Sequence, residues 1–172
     1  MRLFLTFIIA SFFFACQTET QQEEQETPQF SKAEQTEAVA SVLDDWHKAA
    51  AEADFDRYFG YFLNDSSIFM GTDATERWTV AEFKPWAQPY FERGKAWSFS
   101  PEKREIYFAE DGKTAWFDEE LATPNLGPSR GTGVLQLTNK GWRIAHYNLT
   151  VPIPNEIVDK VVSQIDSVLQ VR

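Results

Sequence analysis

The chain has 172 residues and a formal net charge of -10, with 26 acidic against 16 basic side chains. An acidic surface of that size repels phosphate backbones and anionic lipid headgroups, so nucleic acid is excluded as a partner. One cysteine excludes an internal disulfide framework, and two histidines in distant segments make no zinc-type site, so neither metal nor cofactor is expected.

The chain opens with MRLFLTFIIASFFFAC: a basic residue, Arg2, then an almost unbroken apolar run from Leu3 to Ala15, then the lone Cys16. The run is far shorter than the ~20 residues a membrane-spanning helix needs. A basic start and a short apolar core are the pattern of an export signal, so residues 1–15 are predicted to be removed. A small residue directly before a single cysteine resembles the lipobox of bacterial lipoproteins, with Phe13 and Phe14 departing from the usual pattern. That resemblance implies acylation of Cys16 and anchorage to a bacterial membrane, on the periplasmic side or at the cell surface; the alternative is a free thiol on a secreted tail. Residues 16–30, almost entirely Gln, Glu and Thr up to Pro28, bury too little apolar surface to offset their ordering entropy and read as a disordered tether. Residues 31–172 then form one domain with one core.

Ser31 and Glu34 have capping-box spacing, and Val39, Val42, Leu43, Trp46 and Ala50 recur at helical intervals, which predicts an amphipathic helix over 32–53. On this reading His47 lies on the flank of the helix. Asp54 starts a second short helix carrying Phe55, Tyr58, Phe59 and Phe62, and SSIFMG at 66–71 reads as a strand. Thr79 and Glu82 form another capping box, after which Pro85 and Pro89 should break or kink the helix. Beyond Gly94 the period becomes alternating. Trp97 and Phe99 mark one strand, REIYFAE a second, TAWFDEEL a third, GTGVLQL a fourth and WRIAHYNLTV a fifth, with turns at Asp111-Gly112 and Asn139-Lys140-Gly141. After Pro152 and Pro154, Ile157, Val158, Val161, Ile165, Val168 and Leu169 draw one apolar stripe on a closing helix.

Helices followed by a meander of long strands give an α+β domain. The segments FMGTDATERW (69–78), TAWFDEEL (114–121) and RGTGVLQLTNKGWRIAHYNLTVPIPNE (130–156), with the helix pair before them, resemble the SnoaL-like branch of the nuclear transport factor 2-like superfamily. The resemblance implies a cone-shaped roll in which a strongly curved antiparallel sheet, packed on N-terminal helices, wraps a cavity, with a C-terminal helix added. It does not fix a function, since related cones include isomerases, cyclases, dehydratases and binding modules.

Hairpin counting aims the side chains. A turn at Asp111-Gly112 sets Phe108 opposite Ala115, Ile106 opposite Phe117 and Arg104 opposite Glu119 on one face, with Tyr107 opposite Trp116 on the other. The last turn puts Leu135, Leu137, Trp142 and Ile144 on a face with Gly131, Gly133, His146 and Asn148, unless a bulge flips the alternation. On that count the glycines leave space beside His146 and Asn148. His146 and Glu119, with Asp73 from the GTDATER loop, become the candidate acid–base groups; Arg104, Asn148, Tyr58, Trp78 and Phe117 are the candidate ligand contacts, with structural packing as their alternative use. The function expected is an exported, membrane-tethered protein whose cavity takes a small, largely apolar molecule. An acid–base enzyme of isomerase or dehydratase type, or a module that dimerises through the outer sheet face around Tyr107 and Trp116, are the alternatives.

Overall fold

The computed structural model describes residues 31–170. The leader, Cys16 and the tether lie outside the described residues, and no described helix is long and apolar enough to cross a membrane. Helix α1, Lys32–Ala51, begins where the Ser31 hydroxyl accepts from the Glu34 amide, and it buries Val39, Leu43, Trp46, His47 and Ala50 along one face. Asp54 caps α2, Phe55–Gly60, through the Arg57 amide. Strands β1, Ile68–Met70, and β2, Arg77–Thr79, form a short hairpin leading into α3, Val80–Glu92.

Helix α3 runs unbroken through both prolines, contrary to the expectation from composition. Pro85 and Pro89 sit one turn apart on the exposed side, so the carbonyls that lose an amide partner are offered to water rather than buried. The Thr79–Glu82 capping box is present in both directions.

Four long strands follow: β3, Ser100–Phe108; β4, Thr114–Ala122; β5, Ser129–Thr138; and β6, Gly141–Thr150. Trp97 and Phe99 lie before β3 instead of forming a strand of their own. The sheet order is β2-β1-β6-β5-β4-β3. All pairings are antiparallel except β1 with β6, which is parallel: after β1 the chain passes through β2, α3 and the β3–β4–β5 meander before laying β6 beside β1. A short helical turn, Asn155–Ile157, leads into α4, Val158–Leu169, which is exposed along almost its whole length.

The β3–β4 register is the one counted from the turn: Arg104 opposite Glu119, Ile106 opposite Phe117, Tyr107 opposite Trp116. The β5–β6 register is not. Leu137 pairs with Trp142 and Leu135 with Ile144, but Val134 then pairs with His146, so Ala145 is an extra residue that reverses every side chain beyond it. His146 and Asn148 therefore lie on the outer face with Val134 and Thr132, while Tyr147 and Leu149 turn inward opposite Gly133 and Gly131. The physical reason is burial: unbroken alternation would place a histidine and an asparagine in the core and leave Tyr147 and Leu149 in water, whereas these two are 2% and 7% exposed. In the plane of the sheet, the Leu63 amide donates to the Ile144 carbonyl and the Ile144 amide to the Tyr61 carbonyl, a parallel bridge that holds β6 beside the segment after α2 just before the bulge.

The two glycines do make room, but for protein atoms. A Cβ at Gly131 would stand 2.6 Å from the Tyr147 hydroxyl and 2.7 Å from a Glu119 carboxylate oxygen; one at Gly133 would meet the His146 carbonyl and the Phe117 ring, each at 2.6 Å. Because a backbone carbonyl cannot swing aside, Gly133→Ala is expected to lose about 1–3 kcal/mol in urea unfolding. An unchanged midpoint would mean that β5 and β6 do not approach this closely.

Candidate binding cavity

The concave sheet face, α1, α3 and the β1–β2 hairpin line a cavity of about 140 Å³ that is open on one side. One wall is a stack of rings built from separate elements: Phe69 of β1 lies 4.1 Å from Phe83 of α3 at 9°, Trp78 of β2 lies 5.3 Å from Phe83 at 17°, and Trp97 is 5.7 Å from Phe83 at 25°. Tyr147 continues the stack, 5.7 Å from Phe69 and 6.2 Å from Phe117. Gly71, Thr72, Trp86 and Leu126 also line the space, and Trp86 and Leu126 are each more than a third exposed, which places its mouth on their side.

Behind the rings sits a buried charge network. Glu119 on β4, 1% exposed, takes His47 Nε2 at 2.8 Å on one oxygen. Arg104 Nε donates to the other at 2.9 Å, with Nη2 at 2.8 Å. Arg104 Nη1 reaches Asp44 at 2.8 Å and the Ala40 carbonyl at 3.3 Å, so the guanidinium ties α1 to the sheet. Burial alone would push the Glu119 carboxyl up; the His47 hydrogen bond and the charges of His47 and Arg104 more than reverse this and hold it below the ordinary range. An ionised Glu119 only accepts, so His47 Nε2 carries the proton of that bond.

Four buried side-chain atoms lack a well-formed hydrogen bond: Arg104 Nη2, which faces Glu119 as an ion pair, the hydroxyls of Tyr58 and Tyr147, which interact with Trp97 and Glu119, and Trp46 Nε1, which has no partner. Trp46, His47 and Tyr147 all line the cavity. Burial, and then the charge of Glu119, push the Tyr147 phenol well above its usual range, so it stays a neutral donor. Unsatisfied donors are rare inside proteins and point to a missing acceptor.

The candidates from the sequence separate into groups. Glu119 and Arg104 do meet, and Trp78 lines the cavity. Phe117 and Tyr58 are buried in the layer behind it, Tyr58 stacked on Trp46 at 5.1 Å. His146 and Asn148 are on the opposite face of the sheet; burial and the charge of Arg77 draw the His146 imidazole below its ordinary value. Asp73 sits in the exposed loop after β1, its carboxylate accepting from the Thr75 amide at 2.9 Å and hydroxyl at 2.6 Å. Its neighbour Glu76, closed over Gly71, is the carboxylate of that loop at the cavity. His47, read as a flank residue, is 5% exposed and belongs to the site. The signal was present: position 47 is one turn beyond Leu43 and so falls on the apolar face. Among the described residues no three His, Cys, Asp or Glu side chains are grouped to hold a metal ion.

The SnoaL-like domain family matches residues 39–154. No curated protein sequence matches the chain. Among solved structures, a candidate aromatic ring hydroxylase from Novosphingobium aromaticivorans superposes with a TM-score of 0.60 at 15% identity, over 73% of this chain and 94% of that one. A candidate dehydratase of the NTF2-like family from Streptomyces avermitilis gives 0.59 at 13%, over 72% and 100%. An NTF2-like protein of unknown function from Pseudomonas putida KT2440 gives 0.58 at 13%, over 73% and 92%. At such identities the likeness speaks for the fold alone.

Proposed function

This chain belongs to the SnoaL-like domain family, and from that premise we propose that its cavity binds a small, largely apolar molecule of about one ring that carries a hydrogen-bond acceptor. The observation that carries the reading is the pairing of an aromatic cavity of about 140 Å³ with a buried indole N–H on a lining residue, Trp46, that has no hydrogen-bond partner. A dry apolar cavity of ~150 Å³ takes up benzene. A carbonyl on the same ring would supply the acceptor that Trp46 Nε1 lacks. A steroid-sized molecule does not fit without leaving most of itself outside the mouth.

The leader and Cys16 support a setting outside the inner membrane: an acyl anchor, a polar tether of residues 16–30, and the binding domain beyond it. A second reading, acid–base chemistry of the isomerase or dehydratase kind, draws support from the 2.8 Å His47–Glu119 contact at the cavity wall. It would run through that pair, because His146 and Asp73 lie elsewhere. Thermal-shift titration with benzaldehyde, acetophenone and 2-cyclohexenone tests binding: at least one should raise the wild-type melting temperature by several degrees. Leu126→Trp, which narrows the mouth from an exposed position, should retain the unliganded melting temperature and lose the shift. No shift with any of them at millimolar concentration, or an undiminished shift in Leu126→Trp, would remove the proposal.

A further inference from the structure

Glu76 sets a carboxylate against the aromatic cavity with no basic side chain to answer it. The loop that carries it is closed from within: the Gly71 amide donates to the Glu76 carbonyl at 2.8 Å, the Glu76 amide to the Asp73 carbonyl at 2.9 Å, and the Asp73 amide to Glu76 Oε2 at 3.1 Å. A Cβ at position 71 would run into that same oxygen, so glycine lets the carboxylate lie back over the end of β1. The other oxygen, Oε1, has no partner among the described residues. No Lys or Arg lines the cavity, and His47, the lining side chain that can take a second proton, is committed to Glu119 at 2.8 Å. The wall beside Glu76 is made of rings: Trp78, two residues further on, lies 4.8 Å from Trp86 and 5.3 Å from Phe83.

We propose that the ligand is an organic cation, one ring seated in the cavity with an ammonium on a short arm held at the mouth by Glu76 and the rings of Trp78 and Trp86. This rests on the binding reading above and names the chemical class the site takes. A carboxylate oxygen without a partner accepts from an ammonium in a charge-assisted hydrogen bond, about twice as strong as a neutral one. Ring faces add to it, since their quadrupole attracts cations and repels anions. One ring uses up the cavity of about 140 Å³, so a charged arm is left on the open side, where Trp86 and the loop residue Thr72 are exposed. There the ammonium keeps part of its water, which limits the cost of desolvation. Trp46 Nε1, buried and unpartnered, is the complementary group and takes an oxygen on the ring. An anion of the same shape would bring a second negative charge against Glu76 with no base among the lining residues to offset it.

Isothermal titration of the full chain with tyramine, 4-ethylphenol and 4-hydroxyphenylacetate tests this, because the three share a phenol ring and differ in the charge on the arm. Tyramine should bind at least ~10-fold more tightly than 4-ethylphenol, and 4-hydroxyphenylacetate most weakly. In Glu76→Gln, whose amide oxygen can still accept from the Asp73 amide, tyramine and 4-ethylphenol should bind within about twofold of one another. Glu105→Gln, the same change of charge at an exposed site on the outer sheet face, should keep the preference for tyramine. The ranking in the wild type decides on its own should the Glu76 variant fail to fold. Tyramine no tighter than 4-ethylphenol, or a preference that survives Glu76→Gln, would overturn the proposal and leave the binding of a neutral ring intact. If none of the three bound, the binding reading would fall and this assignment with it.

Discussion

Glu119→Ala should cost about 3–5 kcal/mol of unfolding free energy, because it strips a buried cation of its main counter-charge. The Arg104 side chain is 9% exposed and keeps only Asp44, itself largely in water, and the Ala40 carbonyl. His47 Nε2 loses its acceptor at the same time. In a domain of this size the loss corresponds to a fall in melting temperature on the order of 10 °C. Glu119→Gln keeps an acceptor oxygen and should lose roughly half as much. The pH dependence follows in sign. The folded carboxyl sits below its ordinary value of 4.5, so its contribution is fully present above that value and disappears as pH falls through the lower folded value. The stability gap between wild type and Glu119→Gln should therefore shrink as pH falls below 4.5. Urea unfolding across that range checks both claims; an alanine variant within 1 kcal/mol of wild type would reduce the network to a bystander.

The second large effect separates two adjacent residues. Tyr147→Ala should cost about 3–5 kcal/mol, since the ring is buried among Trp46, Phe69 and Phe117, while His146→Ala on the outer face should cost less than about 1 kcal/mol. Equilibrium unfolding of the two variants reads the order directly. The opposite order would put His146 in the core and remove the bulge at Ala145.

That bulge is also where the legible part of the sequence ended. The β3–β4 hairpin could be counted outward because its register has no interruption between Phe108–Ala115 and Arg104–Glu119, so parity survived the length of the strand. In β6 the same arithmetic failed at one inserted residue, since the period of a strand is two and a slip of one exchanges its faces. The spacing of Ile144, Tyr147 and Leu149 carried the trace: three apolar residues that cannot share a face under strict alternation, all three buried. His47 was missed for a different reason. Its neighbour Trp46 accounts for the apolar stripe on its own, and only the partner 72 residues away on β4 shows why a polar ring occupies that face. The prolines of α3 show the reverse case, a local rule outweighed by their placement on the solvent side.

The cavity and its donors are tested most directly by crystals soaked with 4-bromobenzaldehyde and measured at the bromine absorption edge. The account predicts one anomalous peak inside the aromatic wall of Phe69, Trp78, Phe83 and Trp97, with the aldehyde oxygen within hydrogen-bond distance of Trp46 Nε1, the Tyr147 hydroxyl or His47. Bromine found only on the outer surface, or a cavity that stays empty at saturating concentration, would contradict it.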